Sequence, residues 1–220
     1  MSLIRGSVAA IALALSICAV TSAQPARAAW SFEIYRGVPW VPDRNVRISQ
    51  AGFPDLEIDA RMRSEPHKMP FYYDLRLIRW SDGRGWALDF LHHKLIMDNP
   101  PPEVQDFQFT HGYNMVSLQR LWDLDDVTLM AGAGVVLTHT ENTVRGLEFD
   151  QHQGLFGWGY YVSGPLAVVG AGRRLDLGDR FYLSGDVRAS WSHIRADVVG
   201  GDAAMTDWGL HFLAGAGVRF

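Results

Sequence analysis

Asp207-Trp208-Gly209-Leu210-His211-Phe212-Leu213-Ala214-Gly215-Ala216-Gly217-Val218-Arg219-Phe220 stands at the C-terminal end of the chain. Trp208, Leu210, Phe212, Ala214, Ala216, Val218 and Phe220 put an apolar residue at every second position. The residues between them are small or polar, apart from Leu213. A period of two is that of a β-strand with one apolar face. The stretch is longer than the roughly 5–6 residues of a soluble strand and the roughly 9–11 that cross a bilayer.

The pattern recurs upstream. Phe181, Leu183, Val187, Ala189 and Trp191 alternate with polar residues, and Trp86, Leu88 and Phe90 alternate with Ala87, Asp89 and Leu91. Val127, Leu129, Ala131, Ala133, Val135 and Leu137 alternate with Thr128, Met130, Gly132, Gly134, Val136 and Thr138. Tyr73, Leu75 and Leu77, and Trp30, Phe32 and Ile34, give two shorter runs. Less regular runs cover 108–119 and 157–174, the latter with Gly164-Pro165 marking a bulge, since proline cannot donate to a ladder. The expected strands are therefore 30–38, 71–80, 85–96, 108–119, 126–139, 157–174, 180–195 and 207–220. Connections 81–84, 120–125 and 175–179 are short; 39–70, 97–107, 140–156 and 196–206 are expected as long loops. Short turns on one side and long loops on the other are the signature of a transmembrane barrel. The fold class expected is all-β: an eight-stranded antiparallel transmembrane β-barrel. A lipocalin-like barrel or a sandwich is the soluble alternative, and it would turn the apolar face inward.

Met1 to Ala28 reads as a secretory signal peptide. Arg5 precedes an apolar run over 7–20, and Ala26-Arg27-Ala28 supplies small residues for cleavage after Ala28. The run is too short for a membrane helix. The mature chain, 29–220, is expected as one barrel domain, and Cys18, the only cysteine, falls in the leader. Without the leader, 18 basic residues face 24 acidic ones, a net charge of −6. That argues against nucleic acid as a partner. Three Gly-Ala-Gly triplets, 132–134, 170–172 and 215–217, lack the continuation and the strand-to-helix setting of a dinucleotide site. They read instead as small residues in a narrow lumen.

Glu33, Asp74, Arg76, Asp89, Asp186, Arg188, His211 and Arg219 fall on the lumen face. Buried charges must pair, and Glu33 with Arg219, near the periplasmic end of neighbouring strands, is the expected pair. Seven of the eight histidines gather towards the outer rim or its loops, and His211 falls in the upper half of its strand. His92 and Lys94 share the parity of Trp86, Leu88 and Phe90, so both are expected to face the lipid. Two readings of them stand open: phosphate binding by local positive charge, or a lipid-facing active site with a His/Glu site for a divalent metal.

Several segments resemble the outer-membrane family typified by rhizobial lipid A oxidase. They are Phe32-Glu33-Ile34-Tyr35-Arg36-Gly37, Pro70-Phe71-Tyr72-Tyr73-Asp74-Leu75-Arg76 and Gly85-Trp86-Ala87-Leu88-Asp89-Phe90-Leu91-His92-His93-Lys94. Phe109-Thr110-His111-Gly112-Tyr113-Asn114, Val136-Leu137-Thr138-His139-Thr140-Glu141 and Tyr161-Val162-Ser163-Gly164-Pro165 follow in order. Thr138 and His111 depart from the expected pattern, which has proline and an acidic residue there. The resemblance implies oxygen-dependent oxidation of the proximal glucosamine of lipid A to an aminogluconate. Motif position and height nominate His92, His139, Glu141 and Asn114 as catalytic and Lys94 as substrate-binding. The terminal Phe220 resembles the assembly signal of outer-membrane barrels and implies the barrel assembly machinery as a partner. The expected setting is the outer membrane of a Gram-negative bacterium, as a monomer beside lipopolysaccharide. A non-enzymatic barrel serving adhesion or envelope integrity is the next reading. A lipid A deacylase is third, because it needs a nucleophile beside a base and the residues after His139 and His193 do not supply the expected serine.

Overall fold

A computed structural model describes residues 30–150, 152 and 154–220; the expected leader, 1–28, lies outside them. The strands are β1 (Trp30–Trp40), β2 (Arg44–Gln50), β3 (Leu56–Ala60), β4 (Met62–Arg63), β5 (Tyr73–Ser81), β6 (Arg84–Met97) and β7 (Val104–Leu124). They continue with β8 (Val127–His139), β9 (Glu141–Val144), β10 (Leu147–Glu148), β11 (Tyr160–Asp176), β12 (Phe181–Val198) and β13 (Gly201–Arg219). β1, β5, β6, β7, β8, β11, β12 and β13 pair antiparallel in that order, and β13 returns to β1. Trp30 and Phe220 complete the closure with reciprocal backbone bonds of 3.2 and 3.0 Å. Closure leaves the barrel strands no free edge, the condition for spanning a membrane with β-structure.

The apolar face points outward. Trp86, Leu88, Leu118, Leu129, Trp191 and Trp208 are exposed on the wall, while Asp89, Ser117, Thr128, Ser192 and Asp207 are buried inside. This polarity excludes the soluble barrel and makes the chain an outer-membrane β-barrel protein. Higher up, the pleat continues but the polarity of its two faces reverses. Above Trp191 on β12, His193, Arg195 and Asp197 face out while Ile194, Ala196 and Val198 are buried inside. On β13 the change falls between Met205, buried within, and Trp208, exposed on the wall. At about 3.3 Å per residue β13 runs roughly 60 Å, against an apolar band about 25 Å tall. Its upper part stands clear of the bilayer and follows the rule of a soluble sheet.

That reversal explains the corrections to the expected loops. Segment 196–206 is mostly strand, with only residues 199 and 200 between β12 and β13. In 39–70, the β2–β3 hairpin pairs with the top of β13, and β4 pairs with the top of β6. The 97–107 connection shrinks to 98–103, and β9 with β10 folds 140–156 partly back onto β7. An alternation judged by outward apolar residues ends where that sign changes.

The interior has two stacked parts. In the membrane level Arg76 reaches Asp89 (3.0 Å), Glu33 (3.1 Å) and Asp186 (2.6 Å). Arg188 reaches Asp74 (2.6 Å), Asp89 (2.9 Å) and Asp186 (2.9 Å). Glu33 also takes Arg174 (3.0 Å), so its expected pairing with Arg219 does not form. The register explains this: Glu33 lies opposite Gly217, whereas Arg219 lies opposite Ser31 and binds Asp176 at 2.5 Å. Above the charges, His211 is held between Tyr72 and Ser190 at 2.8 Å each. Higher still, Val46, Ile48, Leu95, Phe107, Phe109, Ile194 and Met205 close the upper lumen as an apolar core. Arg44 of β2 pairs with Asp207 and ties this cap to the wall.

Candidate functional site

Four neighbouring strands place one residue each in a row on the outer wall. Tyr73 of β5 stands opposite His92 of β6, His92 opposite Asn114 of β7, and Asn114 opposite Leu137 of β8. Phe90 lies below, within the apolar belt. Pro70, His111 and Tyr160 rise above the row, and the eight residues line a groove of about 440 Å³. Its level is set by the strands themselves: His92 and His139 are the next outward residues after Phe90 and Leu137. The groove therefore lies where the apolar wall gives way to the aqueous side.

His92 is buried, and its Nδ1 is 2.8 Å from Asn114 Oδ1. A carbonyl oxygen only accepts, so Nδ1 carries the proton and Nε2 keeps a lone pair. Nε2 is buried and has no hydrogen-bond partner. Tyr73 stacks on the ring at 5.1 Å and holds its plane. Gly112 makes room for this arrangement, since a Cβ there would collide with the Asn114 amide and press on Tyr160.

A second cluster adjoins the groove. His111 of β7, His139 at the end of β8 and Glu141 at the start of β9 bring one donor atom each within 4.8 Å of the others. Glu141 Oε1 accepts from the Thr110 hydroxyl (2.6 Å), the His111 backbone N–H (3.2 Å) and His111 Nδ1 (2.6 Å). Partial burial pushes the Glu141 carboxyl up, but Thr110 and His111 outweigh it and hold the group below its ordinary range. It is thus a carboxylate at neutral pH. Tyr160 donates to the His111 carbonyl at 2.9 Å and packs edge-on against His139 at 5.2 Å.

Of the residues nominated from sequence, the structure brings His92 to Asn114 and His139 to Glu141. Lys94 keeps the parity of His92, since Leu91, Leu95 and Met97 turn into the core, but it is covered rather than open to lipid. The β6–β7 register shifts between His93 and Leu95, and Lys94 is buried, donating to the carbonyls of Lys68 (3.2 Å) and Met69 (2.9 Å). It pins the segment that carries Pro70 over the groove. His111, Tyr73 and Tyr160 were not nominated. His111 was legible only as a rim histidine, and the bond to Glu141, 30 positions away, depends on β9 folding back beside β7.

Comparisons with protein-family models and with curated proteins find no match. Among solved structures the chain is similar to Neisserial surface protein A, at 12% identity and a TM-score of 0.44, covering 89% of this chain and 100% of that one. It is similar to Ail, the attachment invasion locus protein of Yersinia pestis, at 14% identity and a TM-score of 0.42, covering 89% and 100%. It is also similar to the outer membrane protein OprG from Pseudomonas aeruginosa, at 14% identity and a TM-score of 0.45, covering 90% and 99%.

Proposed function

We propose that this barrel modifies the head group of lipid A from the groove on its outer wall, oxidising the proximal glucosamine to an aminogluconate with dioxygen. The observation that carries the reading is His92 Nε2: a buried nitrogen without a hydrogen-bond partner, on a residue that lines the groove of the outer wall. A buried, unmade hydrogen bond is costly, and such groups concentrate where a ligand completes them.

The chain's own residues suit the task. His92 Nε2 accepts the proton of the sugar hydroxyl at the carbon to be oxidised. Asn114 keeps the opposite nitrogen protonated, so that the base stays available. Tyr73 and Tyr160 offer flat walls to a sugar ring, and Phe90 and Leu137 continue into the acyl region. The overall change removes two electrons from the hemiacetal carbon. Dioxygen takes them and leaves as hydrogen peroxide, and water supplies the added oxygen. Dioxygen reduction calls for a redox-active group.

The deacylase reading loses support here, because Thr140, the hydroxyl beside His139, is buried and bonded to Thr138. The non-enzymatic reading has one observation in its favour: Phe156 and Trp158 are 86% and 70% exposed above the membrane level. Mass spectrometry of lipid A decides among them. Expression in a host whose lipid A carries a free anomeric hydroxyl should yield, in air only, a species heavier by about 16 Da, the one oxygen gained in such cofactor-assisted oxidation. Unchanged lipid A from folded protein overturns the oxidase in favour of the non-enzymatic barrel. Loss of an acyl chain reinstates the deacylase.

A further inference from the structure

We propose that His111, His139 and Glu141 form a site for one first-row divalent transition metal, iron(II) in the working protein. The site stands on geometry alone; the choice of iron rests on the oxidative reading above.

Two imidazoles and one carboxylate are the donor set of non-haem iron(II) oxygenases, and three protein ligands leave coordination positions open for substrate and oxygen. Zinc hydrolases share the set, so the donors name a class of metals and the reaction selects within it. Three features of this chain single out the cluster. Its donor atoms already lie within 4.8 Å of one another, from three different strands. His139 Nδ1 is buried, without a hydrogen-bond partner, 3.9 Å from Glu141 Oε1. Thr110 donates to that same oxygen and fixes the carboxylate, the kind of outer contact that orients metal ligands.

The cluster also sits where a metal is useful. His111 belongs both to it and to the groove wall. A cation held there stands at the edge of the groove that His92 also lines. The site and the base then approach one substrate from two sides.

The test uses the full mature barrel, folded in detergent and verified as the heat-modifiable band. Under anaerobic conditions it is titrated with iron(II), with zinc(II), and with cobalt(II) as a spectroscopic probe. The expected result is one equivalent of each metal bound and visible ligand-field bands with cobalt. His111→Ala, His139→Ala and Glu141→Gln should each weaken binding at least tenfold, the lower end of what even an outer contact contributes. His193→Ala, on an exposed histidine bonded to Thr206, should change nothing. Absence of stoichiometric binding by the folded barrel, or binding indifferent to all three ligand variants, overturns the site. Zinc binding without iron binding overturns the iron assignment. Metal bound by a barrel that leaves lipid A unchanged keeps the site and removes the oxidase. Oxidised lipid A made by a barrel that binds no metal does the reverse.

Discussion

At the scale of single residues, the proposed chemistry turns on which nitrogen of His92 holds the proton. Asn114 decides that through one 2.8 Å bond. Asn114→Ala should lower the rate of lipid A modification roughly 10–100-fold, the usual cost of losing a group that orients a ligand or base. Asn114→Asp keeps an acceptor oxygen and should recover most of that loss. Time courses by mass spectrometry at matched levels of folded protein measure both, and equal rates in all three proteins would remove Asn114 from the mechanism. The outer-rim placement of His92 and His139 was legible in the sequence because strand parity and height along the strand are both countable; Asn114 and Glu141 were nominated from motif position, and Glu141 was expected in a loop. The side of the wall that Lys94 takes follows the same count, because the extra residues at the register shift lie on β7, between Phe109 and Tyr113; its cover by Lys68 and Met69 was not legible, because that segment has no periodic pattern. His111 was passed over because its partner lies on β9, whose pairing with β7 leaves no periodic trace in four residues.

Individual elements behave according to which side of the membrane surface they occupy. Within the belt, packing across the wall is tight enough that β8 needs Gly134: a Cβ there would be driven into the Val116 carbonyl of β7. Gly134→Val should sharply reduce the folded, heat-modifiable fraction, whereas Gly52→Asn, in open space at φ +83°, should not, since asparagine tolerates that conformation. Comparing the two on semi-native gels tests the claim, and equal yields would refute it. The membrane halves of the eight barrel strands were readable because outward apolar residues have one meaning in lipid. The upper halves, and β2, β3, β9 and β10, were hidden by the reversal of that meaning. Ala203 and Met205 look like stray apolar residues in a loop until β2 is laid beside them.

Taken whole, the molecule is a filled cylinder. The charge network occupies the membrane level, and the apolar cap lies above it. Removing Glu33, which serves Arg76, Arg174, Tyr35 and Tyr182 at once, should destabilise the barrel by about 3–5 kcal/mol, the cost of breaking a buried charge pair. In urea titrations of the refolded barrel, Glu33→Ala should couple with Arg76→Ala. It should couple more weakly with Arg219→Ala, which it meets only through the shared Tyr182; stronger coupling to Arg219 than to Arg76 would contradict the register. A lumen filled in this way should also carry no steady current in planar bilayers, and discrete channel openings by the intact protein would contradict the packing. The groove on the outer wall has a consequence for how such a protein must be assayed. A ligand reaches it by sliding sideways within a leaflet, in two dimensions. Occupancy then follows the mole fraction of that ligand among its neighbouring amphiphiles, so inert detergent added to a mixed micelle slows the encounter although nothing in the bulk has been diluted.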